Sequence, residues 1–149
     1  MAIFDFNGMC TKPTEKDINI YGSLDEQWAV RHFLGKSQEE AELLFRENFL
    51  KYQEDLMWMG PVAFAYYLIP AMNYLKSDES SDNADAVSCF SRLIEFKLEW
   101  EKTTLLPVMS EICQTIEIIT GDFERFCCDE FIYGDVKNKL LQIKVVFDS

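Results

Sequence analysis

The side chains best suited to chemistry are one histidine and five cysteines in a chain of 149 residues. A Ser-His-Asp or Cys-His site would need His32, but the sequence has neither Gly-x-Ser-x-Gly nor a catalytic cysteine signature. We therefore expect His32 to lie at the surface or at a helix end, and we expect no catalytic residue and no enzyme activity. Carboxylates beside Cys127-Cys128 should raise the thiol pKa values, so buried, unreactive thiols are expected there.

The cysteine pattern argues against disulfides and zinc. The number is odd, no Cys-x-x-Cys occurs, and two cysteines are adjacent. Reduced thiols fit a reducing compartment, which predicts a cytoplasmic protein. The cysteines are Cys10, Cys89, Cys113, Cys127 and Cys128.

Carboxylate clusters are the remaining candidates for chemistry. Glu95 and Glu99 would share one helix face, but Lys97 and Lys102 nearby favour a solvated face. The acidic run from Asp78 to Asp85 lacks the central glycine and the final glutamate of an EF-hand. The scattered glycines form no phosphate-binding loop. We therefore predict no metal site and no cofactor.

The charge balance predicts the kind of partner. The chain has 26 acidic and 14 basic residues, a net charge of −12, of which −7 falls between residues 37 and 86. Such a surface repels nucleic acids and anionic membranes but attracts a basic protein. Good solubility alone is the simpler explanation of the same charge.

The elements that would position these acids are helices. Ser37 and Glu40 have the spacing of a capping box, and the following residues form one apolar stripe. The stripe consists of Ala41, Phe45, Phe49, Tyr52, Leu56 and Met59. Gly60-Pro61 should end this helix and begin the next.

The next segment, residues 56–75, carries no charged side chain. Its length would suit a membrane span, but Gly60-Pro61 interrupts it, Pro70 should kink or stop it, and acidic residues flank it. A central bundle helix is the better interpretation. Its residues expected to face neighbouring helices are Phe64, Tyr67, Leu68, Ala71, Tyr74 and Leu75.

The rest of the chain predicts further helices. One stripe contains Val87, Phe90, Ile94 and Leu98, another contains Met109, Ile112, Ile116 and Ile119, and Asp135 could cap a last helix. The terminal segments MAIFDF and QIKVVF could instead be strands that pair. The sequence thus predicts a mainly α protein, a single-domain helical bundle of five or six helices spanning residues 1–149, with these short terminal strands as an addition.

The segment FAYYLIPAMNYL, residues 64–75, is similar to aromatic core segments of bacterial protein families. Together with the small, acidic, motif-free chain, it resembles bacterial immunity proteins and antitoxins. This resemblance implies an acidic surface that covers a basic toxin or nuclease, and it transfers no particular residue.

We therefore expect a protein-binding module of the immunity type that occludes its partner. Two alternatives remain: an adaptor or regulatory subunit that uses an apolar groove, and an enzyme that uses dispersed carboxylates. Exposure of Tyr66, Tyr67, Trp58 or Trp100 in one contiguous patch would favour the adaptor. The oligomeric state stays open. The candidate partner-binding residues are Asp78, Glu79, Asp82 and Asp85, with Glu54 and Asp55 in second place.

Overall fold

The computed structural model describes residues 11–148, and this part of the chain contains eight α-helices and no β-strand. The helices are α1 (Glu15–Ile18), α2 (Leu24–Phe33), α3 (Gln38–Trp58), α4 (Pro61–Lys76), α5 (Ala84–Trp100), α6 (Met109–Gly121), α7 (Glu130–Tyr133) and α8 (Val136–Asp148). Short 3-10 helices lie at Asp78–Ser80, Lys102–Val108 and Phe123–Phe126. The mainly α fold is confirmed, and the helix count exceeds five or six because α1 and α7 are single turns of four residues.

The helix starts follow the local sequence signals. Ser37 and Glu40 form the predicted capping box, and Ser23 forms another at the start of α2. Asp135 accepts a hydrogen bond from the Asn138 N–H at 3.1 Å, which satisfies a free donor in the first turn of α8.

Two helices depart from the expected course. α3 leaves helical geometry at Asn48 (φ −158°, ψ 82°), where the side chain accepts a hydrogen bond from the Lys51 N–H and so restarts the helix. The expectation that Pro70 kinks or stops α4 is wrong in one respect, since α4 continues to Lys76. Pro70 cannot donate to the Tyr66 carbonyl one turn earlier, and Gln38 Nε2 donates to that carbonyl instead at 2.9 Å.

α4 lies at the centre of the bundle. It packs against α1, α3, α6 and the 3-10 helix Lys102–Val108. All six predicted stripe residues of α3 are buried, as are the inward residues predicted for α4. The latter are Phe64, Tyr67, Leu68, Ala71, Tyr74 and Leu75. Periodicity therefore identified this part of the core correctly.

The last helix predicted after Asp135 is confirmed, and the strand alternative for the C-terminal segment is wrong. QIKVVF, residues 142–147, belongs to α8, where Leu140 and Ile143 are buried. Packing of one helix face outweighs the β propensity of its valines. MAIFDF, residues 1–6, lies outside the described residues.

Between residues 11 and 148, no helix combines the length and apolarity required to cross a membrane.

Tyr67 fixes the end of α2 to α4. Its Oη lies 2.8 Å from the carbonyl oxygens of both Phe33 and Lys36. We expect Tyr67→Phe to lower the free energy of unfolding by about 1–3 kcal/mol, because the buried carbonyls lose their donor. Tyr52→Phe is the matched control, with an expected change below about 0.5 kcal/mol. Urea unfolding measures both, and equal effects would contradict the role of the Tyr67 hydroxyl.

Candidate functional site

The predicted partner-binding acids lie at two opposite ends of the bundle. Glu54 and Asp55 are in the last turns of α3, beside the start of α4, whereas Asp78 begins the segment that follows α4. The intervening α4 has 16 residues, which corresponds to roughly 24 Å. The six acids therefore form no single patch.

The acidic loop from Asp78 to Asp85 is exposed but partly neutralised by its own chain. Glu79 pairs with Arg46 Nε at 3.0 Å, and Asp85 accepts a hydrogen bond from the Tyr133 hydroxyl at 2.8 Å. Asp78 is exposed. The loop is therefore negatively charged, but most of its acidic side chains already bind groups of the same chain.

Asp82 ties the loop to the segment after α6. Its N–H donates to the Arg125 carbonyl, and its carboxylate accepts a hydrogen bond from Cys127 Sγ at 3.0 Å. This hydrogen bond raises the pKa of the Cys127 thiol, which is the predicted direction, but the acid responsible is Asp82 and not the adjacent Asp129 or Glu130. The expectation of a buried thiol is wrong for Cys127, which is exposed, while Cys128 is half-buried.

Asp55 is not available as a contact residue. It is buried, and its Oδ2 lies 2.6 Å from His32 Nδ1. Burial raises the pKa of the Asp55 carboxyl, and the hydrogen bond with His32 opposes that rise. His32 itself is half-buried at the end of α2, stacked on Trp28 and edge-on to Tyr52. The pair joins α2 to α3.

Lys97 contradicts the expected solvated face on α5. Glu95 and Glu99 are exposed, but Lys97 is 0 % exposed and points the other way. Its Nζ donates to the Met57 carbonyl at 2.8 Å and to the Glu101 carboxylate at 3.1 Å. Burial lowers the pKa of Lys97. The lysine therefore supplies a donor to the C-terminal end of α3.

A groove at this end of the bundle concentrates exposed aromatic rings. It has a volume of about 660 Å³ and includes Tyr21, Trp58 and Trp100, which are 90 %, 42 % and 68 % exposed. The acidic residues Asp25 and Glu101 also line this groove. We call the surface formed by these five residues the acidic aromatic groove.

Close backbone packing shapes the floor of the groove. A Cβ at Gly60 would lie 2.5 Å from the Asp17 carbonyl oxygen and 2.7 Å from Ile20 Cγ1, so only glycine fits. Buried Glu26 accepts hydrogen bonds from the N–H groups of Ile20 and Tyr21 at 2.7 and 2.9 Å. Burial acts to raise the pKa of Glu26, but these bonds and those from Ser23 outweigh it and lower the pKa.

The groove continues into a second cavity of about 380 Å³ that shares Asp25 and Trp58 and adds Glu54. Asp25 and Glu54 are both exposed, and neither pairs with a basic side chain among the described residues. Of the six predicted contact acids, Glu54 is the one that lies beside the groove.

Sequence reasoning missed Asp25, Tyr21 and Glu101 as surface features. The exposure of Trp100 was predictable, because this residue falls outside the apolar stripe of α5. Tyr21 lies before the Ser23 cap, where no periodicity constrains its direction.

Among residues 11–148, no three His, Cys, Asp or Glu side chains are grouped closely enough to hold a metal ion. No family model matches the chain, and neither a curated protein nor a solved structure was found to be similar to it.

The burial of Asp55 generates a pH prediction. A carboxyl whose pKa is raised by folding destabilises the folded state once it ionises, so its unfavourable contribution grows as the pH rises above 3.8 through the folded pKa. We therefore expect the free energy of unfolding of the unmodified protein, minus that of Asp55→Asn, to decrease as the pH rises through this range.

Denaturant unfolding from acidic to neutral pH measures this difference. Glu54→Gln, an exposed neighbour, should show no such trend. In a His32→Gln background the trend should steepen, because the bond that lowers the pKa of Asp55 is gone. A difference that instead increases with pH would contradict the assignment.

The Cys127–Asp82 contact predicts a reactivity change. Asp82→Asn should lower the pKa of the Cys127 thiol and so accelerate its alkylation at neutral pH by roughly threefold or more. Fragment-ion mass spectrometry of the peptide that contains both Cys127 and Cys128 locates the alkylated thiol, and Asp78→Asn is the control. If both variants change the alkylation rate of Cys127 equally, the effect does not come from the hydrogen bond between Cys127 and Asp82.

Proposed function

We propose that the protein is an acidic protein-binding module of the immunity type, which binds a basic toxin or nuclease and occludes it. The observation that carries this proposal is the acidic aromatic groove. Tryptophan is enriched among the residues that contribute most to binding at protein interfaces, and here Trp58 and Trp100 share a groove with acidic residues. This combination fits the side chains of arginine and lysine.

Both halves of a basic side chain have a counterpart in the groove. The guanidinium plane can stack on an indole face while a carboxylate accepts its hydrogen bonds. The chain already makes such a stack within itself, since Arg31 lies 5.0 Å from the ring centre of Trp28. Asp25 and Glu54 are free to accept from a partner, whereas Glu101 already accepts from Lys97.

The acidic loop has a different part in this proposal. Glu79, Asp82 and Asp85 are already engaged within the chain, so replacing those bonds would offset most of the gain from a new contact. Their charge still adds to the field that attracts a basic protein. We therefore assign the loop to steering and the groove to contact.

The adaptor alternative has support from the same groove. Trp58 and Trp100 also offer apolar area, and a hydrophobic segment would bind there with little salt dependence. Tyr66 and Tyr67, the other rings considered for such a surface, are buried. The carboxylate-enzyme alternative has less support, because Asp55, whose pKa is raised, is buried against His32 and does not line the groove.

The binding surface can be tested with a fluorescent oligo-arginine peptide and an uncharged peptide of equal length. Trp58→Ala and Trp100→Ala should each weaken oligo-arginine binding by about tenfold, as central interface aromatics do. Trp28→Ala, an exposed tryptophan outside the groove, is the control. Equal losses at all three tryptophans would contradict the location.

The same titration at several salt concentrations tests the carboxylates. The double variant Asp25→Asn/Glu54→Gln should reduce the salt dependence, whereas Glu47→Gln/Glu95→Gln, with the same net charge, should not. For the biological role, basic proteins encoded by neighbouring genes are expressed with and without this protein. Restored growth that is lost with Trp58→Ala supports immunity through the groove. Growth that the unmodified protein does not restore contradicts immunity, and restoration that Trp58→Ala leaves intact contradicts the groove.

A further inference from the structure

Another cavity lies where α5 meets α7 and α8, and its charged lining residues are basic. It has a volume of about 400 Å³, within the range of small-molecule sites. Its lining combines cations, hydroxyls and apolar groups. The residues are Ser88, Ser91, Arg92, Ile132, Tyr133, Val136 and Lys139.

Two basic residues line this cavity: Lys139, and Arg92, which also lines the cavity that contains Asp25 and Glu54 and whose Nη2 lies 3.7 Å from Cys89 Sγ. Neither Arg92 nor Lys139 forms an ion pair within residues 11–148. A Cβ at Gly134 would lie 3.9 Å from Lys139 Nζ, so the ammonium group lies near the turn that precedes α8. The N-terminal end of a helix carries partial positive charge, which makes this an unfavourable place for an isolated ammonium group.

A buried hydroxyl also lacks a partner. Ser91 is almost fully buried, and its Oγ is a buried side-chain atom without a hydrogen bond in the described part of the chain. Buried polar groups are nearly always paired, so this hydroxyl in the cavity wall is a donor that the protein leaves unused. Ser88, one turn earlier on α5, adds a second hydroxyl to the same wall.

We propose that this cavity binds a small organic oxyanion, either a phosphate monoester or a carboxylate with an apolar group. The oxyanion would accept hydrogen bonds from Arg92, Lys139 and Ser91, and it would neutralise both cations beside the helix terminus. The exposed side chain of Ile132 and the buried Val136 would pack against the apolar part. Arg92 also lines the cavity beside the acidic aromatic groove, so the two sites share that residue, but anion binding here does not require the protein partner.

Acidic side chains nearby limit what can enter. The Asp85 carboxylate is bound to the Tyr133 hydroxyl, and Asp135 is occupied as the cap of α8. Glu95 lines the neighbouring groove together with Lys139. These acids and the net charge of −12 disfavour polyanions, so the ligand is a small mono- or dianion.

The test is a titration of the intact protein followed by backbone amide NMR, with inorganic phosphate, phenyl phosphate and benzoate as separate probes. We expect saturable shifts at residues 88–92 and 133–139. Phenyl phosphate should bind more tightly than inorganic phosphate because it adds apolar contact. Preference for phenyl phosphate over benzoate identifies a phosphate site, and the reverse identifies a carboxylate site.

Three variants and one matched control decide the proposal. Arg92→Gln, Lys139→Gln and Ser91→Ala should each weaken binding of the preferred probe by about tenfold. Lys137→Gln removes the same charge from the same helix outside the cavity and should change affinity by less than about twofold. Absence of saturable shifts with all three probes, or an equal loss in Lys137→Gln, would overturn the proposal.

Discussion

The burial of α4 is the constraint on which the rest of the structure depends. From Pro61 to Leu75 this helix has no charged side chain, and other helices must cover it. Its ends must also be satisfied. At the start, the Gly60 N–H donates to the Ile18 carbonyl, and at the end Arg125 Nη2 donates to the Leu75 carbonyl at 3.0 Å.

These two satisfied ends determine what each end of the bundle can present. At the start of α4, the approach of Ile20 to Gly60 brings Tyr21 beside the tryptophans of α3 and α5. At the other end, Arg125 also donates to the hydroxyls of Ser80 and Ser81, which holds the acidic loop against the body. The aromatic surface and the acidic loop are therefore separated by the length of the same helix.

Much of the fold was predictable, because apolar spacing and caps are local signals. Phe45 and Phe49 follow helical periodicity, and Ser37 is a typical N-cap residue that marks the start of α3. The break at Asn48 was not predictable, since an exposed asparagine is compatible with both continuous and interrupted helices. The site was predicted less well. Asp55 and Lys97 are buried by residues that are distant in sequence, and local sequence patterns do not show which distant residues pack against them.

The buried charges near the groove explain how its walls keep their shape. Glu26 binds the N–H groups of Ile20 and Tyr21, and Lys97 binds the carbonyl of Met57, so directional bonds hold the backbone on both sides. Burying each ion costs desolvation energy, and an apolar side chain of equal volume often contributes as much stability. What an apolar side chain lacks is direction: it cannot fix the position of a particular N–H or carbonyl. Such fixed walls hold the exposed rings ready for a partner, which reduces the entropy lost on binding.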